Sequence, residues 1–322
     1  MWCLRSSREN CGVFPVRSRL GKPDCYSGYV DGVIVVDKPG GWTSHDVVGK
    51  MRRLAGMRKV GHLGTLDPSA TGVLPLVLGR ATRLAQFFTR DDKVYEGTFH
   101  FGYSTDTYDA EGELTSRETP VALNRDELDR VLEQFRGEIL QTPPPVSAKK
   151  IAGRPAYELA RKRQAVDLAP VRVTVHELKI LAVEGCQARV RIHCTAGTYV
   201  RAIAHDAGKA MGCGAFLRDL RRLSSGDFSI EQARTIEELT TLAAENLLDR
   251  ALIPAQDLLP DFPSELVDLV TAGQIRNGRD FRISPFHGAG GARYVKAITA
   301  HGELIAIGEA RLPLVYHPVL VL

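Results

Sequence analysis

The sequence predicts an α+β fold, in which a mixed, largely antiparallel sheet is flanked by helices and followed by a small C-terminal β-barrel. Three observations carry this. Two segments alternate strictly: Val171, Val173 and Val175 against Arg172, Thr174 and His176, then Val190, Ile192 and Cys194 against Arg189, Arg191 and His193, as half-buried strands do. Helical segments interleave with strands without the regular βαβ rhythm of a parallel sheet. Beyond Pro254, Pro260 and Pro263 the helical pattern stops, and the tail to Leu322 is rich in strand formers and glycine.

In chain order, Gly32–Asp37 (GVIVVD) is a short apolar run and reads as a buried strand. Ser44 is placed to cap a helix with Val47, Val48, Met51 and Leu54 on one face and Gly56 at its end. A glycine-rich turn leads to a strand through Val73–Leu78 and a helix over Arg80–Phe88, and Lys93–Tyr103 reads as a longer strand. Asn124 and Glu127 are spaced as a capping box for a helix ending near Phe135, before Gly137. After the two alternating strands, a helix starts near Tyr199 and a basic stretch, Arg218 to Arg222, follows. There are no internal repeats.

The chain has 322 residues, enough for one large domain and a small one, and its 44% hydrophobic and 25% charged content is that of an ordinary globular protein. No apolar run has the length needed to cross a bilayer, and the N-terminus lacks the apolar core of a secretory signal. The six cysteines form no C-x-x-C pair, and the nine histidines no H-E-x-x-H. The expectations are therefore a cytoplasmic protein with inert thiols, no membrane partner and no metal. Net charge is +4 but unevenly spread: residues 143–164 carry a local +5 and the first 25 residues +3, leaving −4 for the rest. Such a basic protrusion is either a solvated helix face or the grip for a polyanion.

Residues 61–72, GHLGTLDPSATG, hold one carboxylate, Asp67, in a glycine-rich turn with His62 upstream. Pro68 forces Asp67 into extended backbone, so its side chain is aimed. Gly61, Gly64 and Gly72 leave room for a ligand to approach. The competing reading is a tight turn whose Asp bonds a nearby amide.

DGVIVVDKPGGWTSHDVV, GHLGTLDPSATGVLPLVLGRATRLAQFF and DKVYEGTFHFGYSTDTYDAEG, followed by PPPVSAKKIAGRPAYELAR, HCTAGTYVRAIAHDAG and LRDLRRLSSGDF, resemble the TruB family of tRNA pseudouridine synthases in the same order. The resemblance covers Gly28 to Phe228 and implies the pseudouridine synthase fold, with a PUA-like RNA-binding barrel over 253–322, a catalytic domain over 28–252 and a basic RNA-gripping thumb at 143–164. Residues 1–27 are expected to be a basic, disordered extension. The implied reaction converts uridine-55 of the tRNA T-psi-C loop to pseudouridine without a cofactor. The expected partner is the T-arm of tRNA, met by a monomer.

On that resemblance Asp67 attacks the ribose and Arg201 is its partner. Tyr95 lies against the uracil and is a candidate for taking the C5 proton. Tyr199 and Leu220 line the uracil pocket, His62 serves eversion of the nucleotide, Lys38 supports the floor or a phosphate, and Asp109 lines the site. Lys149, Lys150 and Arg154 grip phosphates. Leu63 and Val146 depart from the family's frequent threonine and tyrosine. An RNA-folding module, a nucleoside hydrolase and a guide-RNA-dependent relative are the competing function classes.

Overall fold

The computed structural model describes residues 31–89, 91–145, 168–285 and 291–322, and the backbone alone of 150–151 and 154–155. The N-terminal extension and Lys149 therefore lie outside the described residues. Of the basic segment, the described part beyond 145 is a two-strand ribbon, β6 (Lys150–Ile151) against β7 (Arg154–Pro155).

The large sheet is built from β1 (Gly32–Lys38), β3 (Thr71–Leu78), β4 (Lys93–Phe101), β5 (Gly137–Gln141), β8 (Val171–Glu184), β9 (Gln187–Cys194), β10 (Ala215–Ser225) and β12 (Leu252–Pro254). Its order is β12-β1-β3-β10-β4-β9-β8-β5, with β2 (Val60–His62) on β3 and β11 (Phe228–Ser229) on β10. Every pairing in it is antiparallel except β3 with β10. The sheet is therefore mixed and largely antiparallel, as expected.

Both faces of β1 are covered, which is why it reads as an unbroken apolar run. Ile34 and Val36 enter one core with Val47, Val48 and Met51 of α1 (Ser44–Leu54), Leu128 and Leu132 of α3 (Arg125–Leu132), and Val200, Ile203 and Ala207 of α4 (Val200–Ala210). Val33 and Val35 enter a second core with Leu84, Phe88, Ile298, Leu304, Ile307 and Leu320. Four of those residues come from the C-terminal sheet, so that sheet packs on the back of the large one.

The C-terminal sheet has five strands, β13 (Ser264–Val267), β14 (Phe281–Arg282), β15 (Tyr294–Thr299), β16 (Leu304–Leu312) and β17 (Val315–Val321), in the order β13-β15-β16-β17-β14. It is a curled half-barrel, and among the described residues no pairing joins β13 to β14. The proline-marked stretch is divided between the two sheets: Leu252–Pro254 forms the edge of the large sheet, and the first strand of the second begins at Ser264.

Several local expectations change. Thr43, not Ser44, caps α1: its hydroxyl accepts from the Asp46 amide, and Asp46 bonds back to the Thr43 amide. Asn124 caps α3 by accepting from the Asp126 and Glu127 amides, without the reciprocal arm of a capping box. Arg80–Phe88 divides into a 3-10 turn over Gly79–Leu84 and one α-turn, α2 (Ala85–Phe88). The basic stretch Arg218 to Arg222 lies inside β10, where Arg222 is almost fully buried.

Candidate active site

Asp67 lies in the turn between β2 and β3, and the backbone on both sides of it is held by buried side chains. Before it, Ser44 Oγ donates to the Leu66 carbonyl (3.1 Å) and accepts from the Leu66 amide (2.9 Å). After it, the Pro68 carbonyl accepts from Lys38 Nζ (3.0 Å) and from the Gly41 amide (2.9 Å). Farther back, Arg222 donates to the carbonyls of Val73 (2.7 Å) and Gly64 (3.1 Å). Such a clamp fixes where the carboxylate stands, which proximity-driven chemistry requires.

Of the three glycines in this turn, Gly72 has the firmest requirement. Its φ is +98°, and a Cβ there would sit 2.2 Å from the Arg222 carbonyl oxygen. Gly72 thus lets β3 approach β10 rather than opening space for a ligand. Gly61 meets only an ordinary contact with Val77, so its lack of a side chain is not needed for room.

The Asp67 side chain turns to Arg201, whose Nη2 is 3.2 Å from Oδ2. This replaces the amide bond expected of a simple turn aspartate. Arg201 stands in the first turn of α4, its side chain only 6% exposed, while that of Asp67 is 42% exposed. Its Nη1 approaches Asp109 Oδ2 at 3.4 Å and donates to the Thr107 carbonyl (3.3 Å). The entry to α4 is fixed by Gln141, which accepts from the Tyr199 amide (2.8 Å) and donates to the Tyr199 carbonyl (3.0 Å).

The carboxylate opens into a cavity of about 290 Å³, near the lower bound for small-ligand pockets. Gly64–Asp67, Thr89, Lys93, Tyr95, Thr195–Arg201, Leu217, Leu220 and Arg222 line it. Asp67, Tyr95, Tyr199, Arg201 and Leu220 are therefore brought together. His62 lines a neighbouring hollow of about 140 Å³ that shares Gly64, Thr89 and Lys93 with the main cleft. The His62 ring meets His45 edge-on at 5.8 Å, and its buried Nδ1 has no hydrogen-bond partner among the described residues.

Lys38 and Asp109 stand behind the wall of the cavity. Lys38 is fully buried beneath the turn, where its three donor hydrogens match three carbonyls, those of Pro39, Trp42 and Pro68. It supports the floor and has no donor left for a phosphate. Asp109 is buried behind Arg201, where it also accepts from Thr107 Oγ1 (2.6 Å) and the Glu111 amide (3.1 Å). It combines the Asx turn with a grip on the guanidinium. Lys150 and Arg154 are described in backbone only.

Electrostatics follow from this packing. Burial pushes the Asp67 carboxyl above its usual range, Arg201 pulls it back, and Asp109 pushes it further up. Burial lowers Lys38 to about 8 although Asp67 favours its charge. Burial raises the Tyr95 phenol, with Arg222 opposing. The site therefore does not depress Tyr95 as a phenolate base would need. Burial also lowers His62, assisted by His45 and Arg222.

Sequence reasoning missed Ser44's grip on the turn, Gln141, Lys93 and Arg222. It also missed one cluster that could hold a metal: Asp92, His176 and His193 converge with ligand atoms within 4.8 Å of one another. Among the described residues no helix is long and apolar enough to cross a membrane.

Comparison with known proteins bears directly on this geometry. Residues 52–200 match the model of the TruB family pseudouridylate synthase N-terminal domain, and 201–260 the tRNA pseudouridylate synthase B C-terminal domain. The chain belongs to the TruB family. The TruB-family model boundary at 200/201 falls at the start of α4, so Asp67 and Arg201 come from the two matched parts. A TruB relative from Solibacter usitatus, "tRNA pseudouridine synthase B", is 61% identical over 91% of this chain and 100% of its own. One of the same name from Aquifex aeolicus is 41% identical over 88% and 96%. Among solved structures, a Cbf5-Nop10-Gar1 complex is 28% identical, with a TM-score of 0.66 over 88% of this chain and 80% of that one. An archaeal box H/ACA sRNP Nop10-Cbf5 complex gives 26% and 0.64 over the same shares. The architecture of this TruB chain is thus the pseudouridine synthase fold with a PUA-like C-terminal half-barrel, and the chain is an isomerase of that family.

Proposed function

We propose that this enzyme isomerises uridine-55 in the T-loop of tRNA to pseudouridine, acting as a monomer on the T-arm. The observation that carries the proposal is the Asp67 carboxylate, clamped on both sides and 3.2 Å from a buried guanidinium, at the mouth of a cavity the size of one nucleotide. Relatives 41–61% identical bear the name tRNA pseudouridine synthase B, which supports tRNA over a guide-RNA-dependent substrate.

The target nucleotide must leave its stack, at a cost of a few kcal/mol. His62, beside the cleft, is the side chain we assign to the vacated space. Asp67 then attacks C1′ of the ribose and the C1′–N1 bond breaks. The freed uracil, which leaves with the electron pair of the broken bond, turns against Tyr95, Tyr199 and Leu220. C5 bonds to C1′ as the Asp67–C1′ bond breaks and returns the carboxylate, and the proton lost from C5 is balanced by one gained at N1. No atom is gained from a co-reactant and nothing is oxidised, so the chemistry calls for no cofactor.

Arg201 holds and balances the carboxylate, and Asp109 holds Arg201. We assign Tyr95 to contact with the base, because burial keeps its phenol protonated. Residues 143–164 supply phosphate contacts, which give affinity rather than sequence choice. The test is to incubate the protein with an unmodified tRNA transcript and map pseudouridine. Pseudouridine at position 55 with RNA mass unchanged supports the proposal. An abasic product, or modification confined to other positions, overturns it.

A further inference from the structure

Three neighbouring strands of the large sheet bring metal-binding side chains together. Asp92 immediately precedes β4, His193 is the penultimate residue of β9, and His176 lies in β8. His176 Nε2 is 3.0 Å and His193 Nε2 3.6 Å from the same atom, Asp92 Oδ2, and the two rings are 4.7 Å apart. Donors around a tetrahedral ion bound at 2.0–2.1 Å are separated by about 3.4 Å, a value these distances bracket.

The convergence is built into the strand register. Val175 pairs with Cys194 but Glu177 with His193, so His176 is the extra residue of a β-bulge. The unshifted register would already set His176 opposite His193; the bulge places His176 and Glu177 together against His193, and re-aiming a side chain is a recurrent use of bulges. Cys194, next in sequence, is buried in the core on the opposite side of its strand, leaving two imidazoles and one carboxylate as the donor set. Their side chains are about 40% exposed, so an ion can enter from solvent.

We infer that Asp92, His176 and His193 bind one divalent first-row transition ion such as Zn²⁺, Co²⁺ or Ni²⁺. Two nitrogens and one oxygen suit such borderline ions better than Mg²⁺ or Ca²⁺, which prefer all-oxygen shells. Three protein ligands leave positions open to water. The ion sits at the rim of the cleft, because Lys93 and Thr195, one residue beyond Asp92 and two beyond His193, are part of its wall. It takes no part in the isomerisation, which needs none.

The test is titration of Co²⁺ into the full chain after chelator dialysis, followed by visible absorption and calorimetry. One Co²⁺ should bind per chain with micromolar affinity and without the near-ultraviolet band of a thiolate ligand. His176→Ala and His193→Ala should each weaken it by roughly tenfold or more, as loss of a ligand does. His317→Ala, which breaks a separate His–Asp pair with Asp280, should leave it unchanged. Binding that survives His176→Ala, or no saturable binding below millimolar Co²⁺, would show that the three groups are only a hydrogen-bonded cluster.

Discussion

Replacing Arg201 by glutamine keeps most of the side-chain volume and removes the charge beside Asp67. At 3.2 Å, two unit charges attract by about 1.3 kcal/mol in bulk water and about 5 kcal/mol at an effective dielectric constant of 20. Asp67 is 42% exposed and its partner 6%, so solvent screens the pair in part and about 1.5–3 kcal/mol is the working range. That equals about one to two pH units. The sign follows from which form is lost. Arg201 favours the ionised carboxyl, and without it only Lys38 opposes burial and Asp109, so Asp67 takes up a proton at higher pH. On the proposed mechanism activity needs the carboxylate and is lost as pH falls through its pKa. The acid limb in the native enzyme should therefore lie above the ordinary aspartate value, and in Arg201→Gln about one to two units higher still. Release of tritium from uracil C5, measured in single turnovers with enzyme in excess, follows both limbs even with the rate down about 10²–10³-fold. A limb unmoved by the substitution, or moved to lower pH, would refute the electrostatic role given to Arg201.

Other consequences of the packing are open to measurement. Ser44→Ala leaves the buried Leu66 amide and carbonyl without their partner; thermal unfolding should show a loss of about 1–3 kcal/mol, and the modification rate should fall more than tRNA affinity. Gly72→Ala places a Cβ against the Arg222 carbonyl at φ +98°, so the denaturant midpoint should drop by the equivalent of about 2 kcal/mol or more. Replacing Lys149, Lys150 and Arg154 together by alanine should weaken tRNA binding and reduce the slope of log affinity against log salt by about two to three. An unchanged slope would make the segment a solvated surface.

The strand pattern and the turn motif were readable because each is local. Apolar alternation placed β8 and β9, and the Asp-Pro turn marked Asp67. The supports of the site were not readable, since burial of a polar side chain is a tertiary fact. Lys38 and Arg222 look in sequence like any surface cation, yet both lie under the turn with their donors directed to backbone carbonyls. Gln141 gives no sign of holding Tyr199, 58 residues away. Asp109 sits in a motif that points to the site, but only the fold puts Arg201 between it and the cleft. The bulge at His176 breaks the alternation that Val171–Val175 establishes, and Asp92, His176 and His193 are adjacent only because β4, β9 and β8 are neighbours in the sheet.

One substitution bears most directly on the central claim that the Asp67 carboxylate performs the chemistry. Asp67→Asn keeps the size of the side chain and removes its nucleophilic charge, so pseudouridine formation should vanish while tRNA binding stays within a few-fold of the native enzyme. Modification that persists in the variant would remove Asp67 from the reaction.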